Sequence, residues 1–241
     1  MSVASCFAAA PIGLLHHGAQ ERRARHCHDV PFAAVVLEGG YQEAGDEGRW
    51  NVRPGDVLIH HAFESHLNRF DAVGARVLIL DLPADMAASP HLYGHTADPD
   101  RLVRLAARDP RAASALLSEG FAARASTLLD WPDMLAADLR GLEPFLLADW
   151  ADRHGVRAET LSRGFRAAYD CTPKAYRADV RARAAFRAAR GGGEPFADVA
   201  HRLHFTDQSH MTHAVARLTG ATPGWWRRDQ VDTRQHRPTL L

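Results

Sequence analysis

The sequence predicts a two-domain α+β protein: a strand-rich N-terminal barrel, a helical connector, and an all-α C-terminal domain with two helix-turn-helix units. Three observations predict it. Residues 145–241 carry 16 Arg+Lys against 10 Asp+Glu and residues 1–144 carry 13 against 19, so a basic half follows an acidic half although the 241-residue chain has no net formal charge. The basic half repeats itself at an offset of 49 to 50 residues. The acidic half consists of short apolar runs separated by Gly and Pro turns, the pattern of a sandwich or barrel. The spans expected are 1–84 for the barrel, 85–143 for the connector, 144–230 for the helical domain and 231–241 for a tail.

Composition excludes several classes. The apolar share of 46% and charged share of 24% are ordinary for a globular protein. No apolar run approaches the roughly 18 residues of a membrane helix. The start, MSVASCFAAAPIGLLHH, lacks a basic leader and is broken by Pro11, which argues against a signal peptide. Cys6, Cys27 and Cys171 are scattered without a CxxC pair, which fits a reducing cytoplasm. Lys174 is the only lysine, so the basic balance is almost entirely arginine. No Ser/His/Asp or paired-carboxylate constellation stands out, and no enzyme is expected.

In the acidic half, Phe32 to Leu37 reads as a strand closed by a Gly39-Gly40 turn. Trp50 and Val52 lead into Pro54-Gly55-Asp56, Val57 to Ile59 starts another strand, and residues 75–83 supply a further one. His60 and His61 are adjacent, so both cannot face inward on a strand. Residues 98–139 read as helical, with Leu102, Leu105, Leu116, Leu117, Leu128 and Leu129 on apolar stripes.

In the basic half, Ala148, Asp149, Ala151 and Arg153 recur 49 positions later as Ala197, Asp198, Ala200 and Arg202. Thr172, Pro173 and Arg177 recur 50 positions later as Thr222, Pro223 and Arg227, so the second copy holds one inserted residue. Each copy reads as helix, turn, helix. The first has a stripe of Leu146, Leu147, Trp150 and Ala151 ending at His154-Gly155, then a helix over 158–169 with Leu161 and Phe165 inward. The second has Phe196, Val199, Ala200 and Leu203, then a helix capped by Thr206 or Asp207 and reaching Leu218, with Met211 and Val215 inward. Thr-Pro at 172 and 222 places an N-cap before Pro at the first helical position. An Ala/Arg-rich helix over 174–190, ended by Gly191 to Gly193, joins the copies. Two units about 34 Å apart suit successive major grooves of one duplex. A helical adaptor that binds a protein is the competing reading, and the basic balance weighs against it.

Four histidines, His201, His204, His210 and His213, crowd the second unit. His210 and His213 share a helix face, but no cysteine lies near to complete a tetrahedral zinc site, so metal is disfavoured there.

Residues 145–228 resemble the DNA-binding domain of AraC/XylS-type transcription regulators. The resemblance is carried by Ala200, Leu203, Phe205, Asp207-Gln208-Ser209-His210, Gly220, Thr222-Pro223 and Trp226-Arg227. It implies double-stranded DNA as partner and places His210 at the start of the second recognition helix. Base contacts fall to Glu159, Thr160, Ser162 and Arg163 on the first helix and to Gln208, Ser209, Thr212 and His213 on the second. Arg163 leads, since Arg to guanine O6/N7 is the commonest specific contact. Phosphate contacts fall to Arg157, Arg166, Arg177 and Arg227. The sequence departs from the pattern where His213 and Ala216 replace basic residues, His204 replaces a glycine and Val215 replaces a core Phe. The resemblance also implies control by a small molecule, RNA polymerase as partner of an activator, and a homodimer built on the connector, unless those helices only cap the barrel.

Two fragments of the acidic half resemble cupin motifs: RHCHDVPFAAVVLEGG, with His26 and His28, and RPGDVLIHHAFESHLN, with Pro54-Gly55-Asp56, His66 and Asn68. In metal-binding cupins such histidines are joined by a glutamate, expected here near 32 or 33, where Phe32 and Ala33 stand. Three histidine ligands with an open position could still hold Zn or Fe. The resemblance to AraC-type regulators, whose sensory domains often keep such histidines without metal, implies instead that His26, His28 and His66 line a ligand pocket or pack, with no cofactor favoured. The rival is a cupin metalloenzyme that uses the same three histidines. Cys27, between the first two, points to the opposite face.

Overall fold

The computed structural model describes residues 5–7, 10–83, 86, 92–124 and 130–229. Leu128, Leu129 and the tail from 231 lie outside the described residues.

The N-terminal part is one sheet of nine strands among the described residues, in the order β1-β3-β7-β4-β6-β8-β9, with β2 on β7 and β5 on β4. The strands are β1 Ser5–Phe7, β2 Gly13–His17, β3 Arg22–His28, β4 Phe32–Gly45, β5 Arg49–Val52, β6 Asp56–His60, β7 Ser65–Asp81, β8 Tyr93–His95 and β9 Ala122–Ala123. The long strands β4 and β7 pair antiparallel from Phe32↔Asp81 to Gly45↔His66, with register shifts in mid-course. Beyond the shift each half takes a new outer partner: β6 joins the first half of β4 and β5 the second. β2 and β3 divide β7 in the same way. The sheet thereby rolls around Phe32, Val36, Tyr41, Trp50, Val52, Leu58 and Phe70.

The Gly39-Gly40 pair is not a hairpin turn, because β4 runs straight through it. Gly39 has φ +69° and faces Gly74, whose φ is +72°; a Cβ on Gly39 would lie 1.9 Å from the Gly74 carbonyl oxygen. The two glycines let both strands bend at one place, the bulge that a coiled sheet needs. For the same reason residues 75–83 are no separate strand but largely the second half of β7.

Helices α1 (Pro99–Ala106) and α2 (Pro110–Gly120) each begin with a capping aspartate followed by Pro. Asp98 accepts from the Arg101 N–H at 2.8 Å and Asp109 from the Ala112 N–H at 3.0 Å. They lay Leu102, Ala113 and Leu117 on Val35, Leu78 and Leu80 of the barrel.

Helix α3 (Trp131–Arg140) leads into the C-terminal helices α4 (Leu147–Arg153), α5 (Ala158–Tyr169), α6 (Pro173–Gly191), α7 (Phe196–Arg202), α8 (Gln208–Thr219) and α9 (Pro223–Asp229). Leu146 does not belong to the apolar stripe. It is the N-cap of α4, in extended backbone, and is 69% exposed.

The repeat is physical. The Val156 N–H donates to the Ala151 carbonyl and the Phe205 N–H to the Ala200 carbonyl, both at 2.9 Å. The turn residue before each takes positive φ, Gly155 at +64° and His204 at +56°. The residue expected as the second copy's insertion falls after this shared turn, at Thr206, and the N-cap that follows is Asp207, whose carboxylate accepts from the His210 N–H at 2.7 Å. Its counterpart, Arg157, makes no side-chain cap bond. The recognition helices end alike, at Asp170 (φ +55°) and Gly220 (φ +77°).

The two parts pack on each other. Ala44 and Leu67 of the barrel share a cluster with Leu135, Trp150, Phe165, Tyr169 and Tyr176. Phe63 joins Phe186, Val199, Met211 and Val215. Arg49 of β5 reaches Asp133 of α3 at 3.0 Å, and Asp133 also accepts from the Tyr169 hydroxyl at 2.8 Å.

Candidate nucleic-acid interface

Helix α5 buries Leu161, Phe165, Ala168 and Tyr169. That leaves Glu159, Ser162, Arg163 and Arg166 exposed and Thr160 half-buried. Helix α8 buries Met211, Ala214, Val215 and Thr219, and shows Gln208, Ser209, His210 and His213, with Thr212 half-buried. The two helices are in the same phase, so the residues expected to read bases lie on corresponding faces. Val215 is fully buried in the place Phe165 takes in the first copy. His210 sets its ring edge against Phe205 at 5.3 Å.

The four arginines expected at phosphates divide into two pairs. Arg157 and Arg166 are exposed beside α5. Arg177 lies over the Phe145 ring at 4.4 Å and donates to the Phe145 carbonyl at 3.2 Å. Arg227 does the same in the second unit, 3.6 Å over Phe196 and donating to the Glu194 carbonyl at 2.7 Å. Each of these last two ties its own unit's closing helix to the chain that enters its opening one.

Inside the barrel, antiparallel β3 and β7 place His26 opposite His66. The rings of His26 and His66 are 4.3 Å apart, those of His26 and His28 5.1 Å, and those of His28 and His66 5.6 Å. The three residues named from sequence are thus one cluster. Sequence reasoning missed its other members, Glu43 and His60. His60 closes the fully buried β6, stacks on Phe32 at 4.4 Å and lies 4.4 Å from the His66 ring. Its Nε2 is 3.7 Å from Glu43 Oε2, which accepts from the Asn68 amide at 3.0 Å. Glu43 could have been found from strand alternation, since it shares the phase of Tyr41, which is buried with it. His61 is half-buried.

Burial disfavours charge on His60, His66 and Glu43. Desolvation pushes His60 down to about 3 and His66 well below the usual imidazole value, with neighbouring histidines adding to both. It pushes the Glu43 carboxyl up to about 8. The ligand atoms of His26, His28 and His66 lie within 4.8 Å of one another, as do those of Glu43, His60 and His66. A cavity of about 10 Å³ touches Glu43, Asp46, Trp50, His60, Glu64 and His66, and so has room for about one water.

Residues 150–229 match a family described as a helix-turn-helix domain. The C-terminal domain is of the AraC/XylS type. This AraC/XylS-type domain makes the protein a DNA-binding transcription regulator. Solved structures similar to the chain include the DNA-binding domain of the transcriptional factor AdpA in complex with target DNA, at 21% identity, over 44% of this chain and 96% of that one, TM-score 0.40. ToxT from Vibrio cholerae O395 is similar at 8% identity over 90% of this chain and 97% of that one, TM-score 0.41. Oxalate decarboxylase from Bacillus subtilis is similar over 27% of this chain and 19% of its own, at 18% identity and TM-score 0.26. No curated protein matches the chain. None of the described helices is long and apolar enough to cross a membrane.

Proposed function

We propose that the protein is a cytoplasmic regulator that reads two blocks of sequence in double-stranded DNA, with α5 in one major groove and α8 in the next. The observation that carries this is the matched phase of the two helices, each burying one stripe and presenting polar side chains on the other. Helix α6, of 19 residues, spans about 28 Å, close to one turn of the duplex. Arg163 is assigned to guanine O6/N7 and Gln208 to adenine N6/N7, with Glu159, Thr160, Ser162, Ser209, Thr212 and His213 completing the two faces. Arg157 and Arg166 grip phosphate, while Arg177 and Arg227 act first as clamps within their units.

The barrel is the sensory part in this reading; the span 85–143, expected to be a helical connector, also adds β8 and β9 to the barrel sheet, and 144–230 is the reader. Signal transfer has a route: Asp46 and Glu64 touch the barrel cavity and also take Arg183 and Arg187 of α6. An activator of this kind meets RNA polymerase at the promoter, and a homodimer would double the site.

Selection of binding sites from a random duplex library by the purified protein, at near-physiological salt, tests the reading. Enrichment of two short blocks about one helical turn apart supports it. Salt-sensitive binding without sequence enrichment, with chelated and with metal-supplemented protein alike, defeats it.

A further inference from the structure

We propose that the barrel binds one divalent transition-metal ion through Glu43, His60 and His66, a two-histidine, one-carboxylate site displaced from the histidine trio that the sequence pattern marks. The proposal deepens the sensory reading by naming the chemical class of the ligand, but the site stands on geometry independent of DNA binding.

The position expected to supply a carboxylate cannot do so. Phe32 stands there, stacked flat on His60 at 4.4 Å and edge-on to His28 at 5.2 Å. A carboxylate nevertheless reaches the cluster from the far half of the same strand, because β4 continues through the Gly39 bulge and pairs Glu43 with Asn68. Asn68 donates to Glu43 Oε2 at 3.0 Å and orients it, as the outer partners of metal carboxylates do. Phe32 holds the plane of the His60 ring. His66 Nδ1 is buried and has no hydrogen-bond partner among the described residues, an orphan that a ligand would satisfy.

All three groups are buried, with Glu43 2%, His60 6% and His66 5% exposed, and their ligand atoms lie within 4.8 Å of one another. The adjoining cavity, about 10 Å³, suits an ion with one water better than an organic effector. Two imidazoles and one carboxylate with an open position suit Zn²⁺, Fe²⁺ or Co²⁺. His26 and His28 are only half-buried and lie on the outward side of His66.

The test is equilibrium dialysis of chelator-stripped, full-length protein against Zn²⁺, with Co²⁺ absorption as second readout. The expected result is one ion per chain for the wild type and for H26A, and at least tenfold weaker binding for E43Q and for H60Q. X-ray absorption of Zn²⁺-loaded wild-type protein needs no variant and should show two imidazoles and a carboxylate oxygen. No stoichiometric binding by the wild type, binding that survives E43Q and H60Q, binding removed by H26A, or a three-imidazole shell each overturns the assignment. These readouts measure the ion itself, so their failure leaves the DNA-reading proposal standing, and failure of site selection leaves the metal site standing.

Discussion

Arg183 of α6 sets its Nη1 2.7 Å from Oδ2 of Asp46, in the loop after β4, with side chains only 4% and 1% exposed. The helix that joins the two DNA-reading units is thus tied through a buried charge to the barrel. Asp46 also pairs with Arg25 of β3 and accepts from the Ser65 N–H. One carboxylate therefore serves two buried guanidinium groups.

Removing that carboxylate leaves both arginines buried without their anion. D46A should destabilise the protein by about 3–5 kcal/mol in urea denaturation. The double variant D46A/R183M should cost less than the sum of the single changes, because the second removes a charge that the first stranded. Strict additivity would show that the pair is not coupled across the domains.

Arg163 and Arg166 sit on the same exposed flank of α5 but are assigned different work. R163A should cost about 1–3 kcal/mol at one base position and relax preference there. R166A should weaken all duplexes alike and make the dependence of affinity on salt shallower. Binding measured against a panel of single-base operator variants at several salt concentrations separates the two patterns, and an R163A loss spread evenly over every sequence would refute its base-reading role.

Glu43 makes stability pH-dependent. Desolvation raises its folded-state value to about 8 from an ordinary 4.5, so the native state holds the proton more tightly than the unfolded chain. Its contribution is fully present below pH 4.5 and is lost as pH rises through about 8. Metal-free wild type should therefore lose stability relative to E43Q over that window. The opposite contribution of His60, lost as pH falls below 6.5 towards 3, is common to both proteins and cancels in the difference. Urea midpoints at pH 5 and pH 8.5 should show the gap changing in favour of E43Q, and a constant gap would contradict the assignment.

His204 holds a left-handed backbone, φ +56°, where the first unit has Gly155 at +64°. Relief of that strain should make H204G more stable by about 1 kcal/mol, since the ring is exposed and little packing is lost. A fall in thermal midpoint would show that the histidine ring contributes more than the strain costs.

Local features carried much of the C-terminal domain. Apolar spacing at i and i+4, Thr-Pro starts, the Gly191–Gly193 stop and the internal repeat all act within a few turns of chain, so the helices could be placed from residues alone. The same signals marked the exposed faces of α5 and α8. Two expectations failed, one at a helix end and one where a second strand lies opposite. Leu146 belongs to the α4 stripe by composition but is the extended N-cap residue. Gly39-Gly40 has turn chemistry, yet Gly74 opposite converts it into a bulge.

The sequence by itself determined that a basic double helix-turn-helix follows an acidic barrel, and that His26, His28 and His66 belong together. The first resides in periodicity and repeat spacing along one chain, and the second in the resemblance of two fragments to cupin motifs. Only the tertiary structure decided that Glu43 and His60 complete the buried cluster and that Asp46 and Arg183 tie the barrel to α6. Burial makes the difference, because it depends on which strand or helix lies opposite. Arg183, 137 positions from Asp46 in the chain, becomes its partner only when the helical domain closes water away from both.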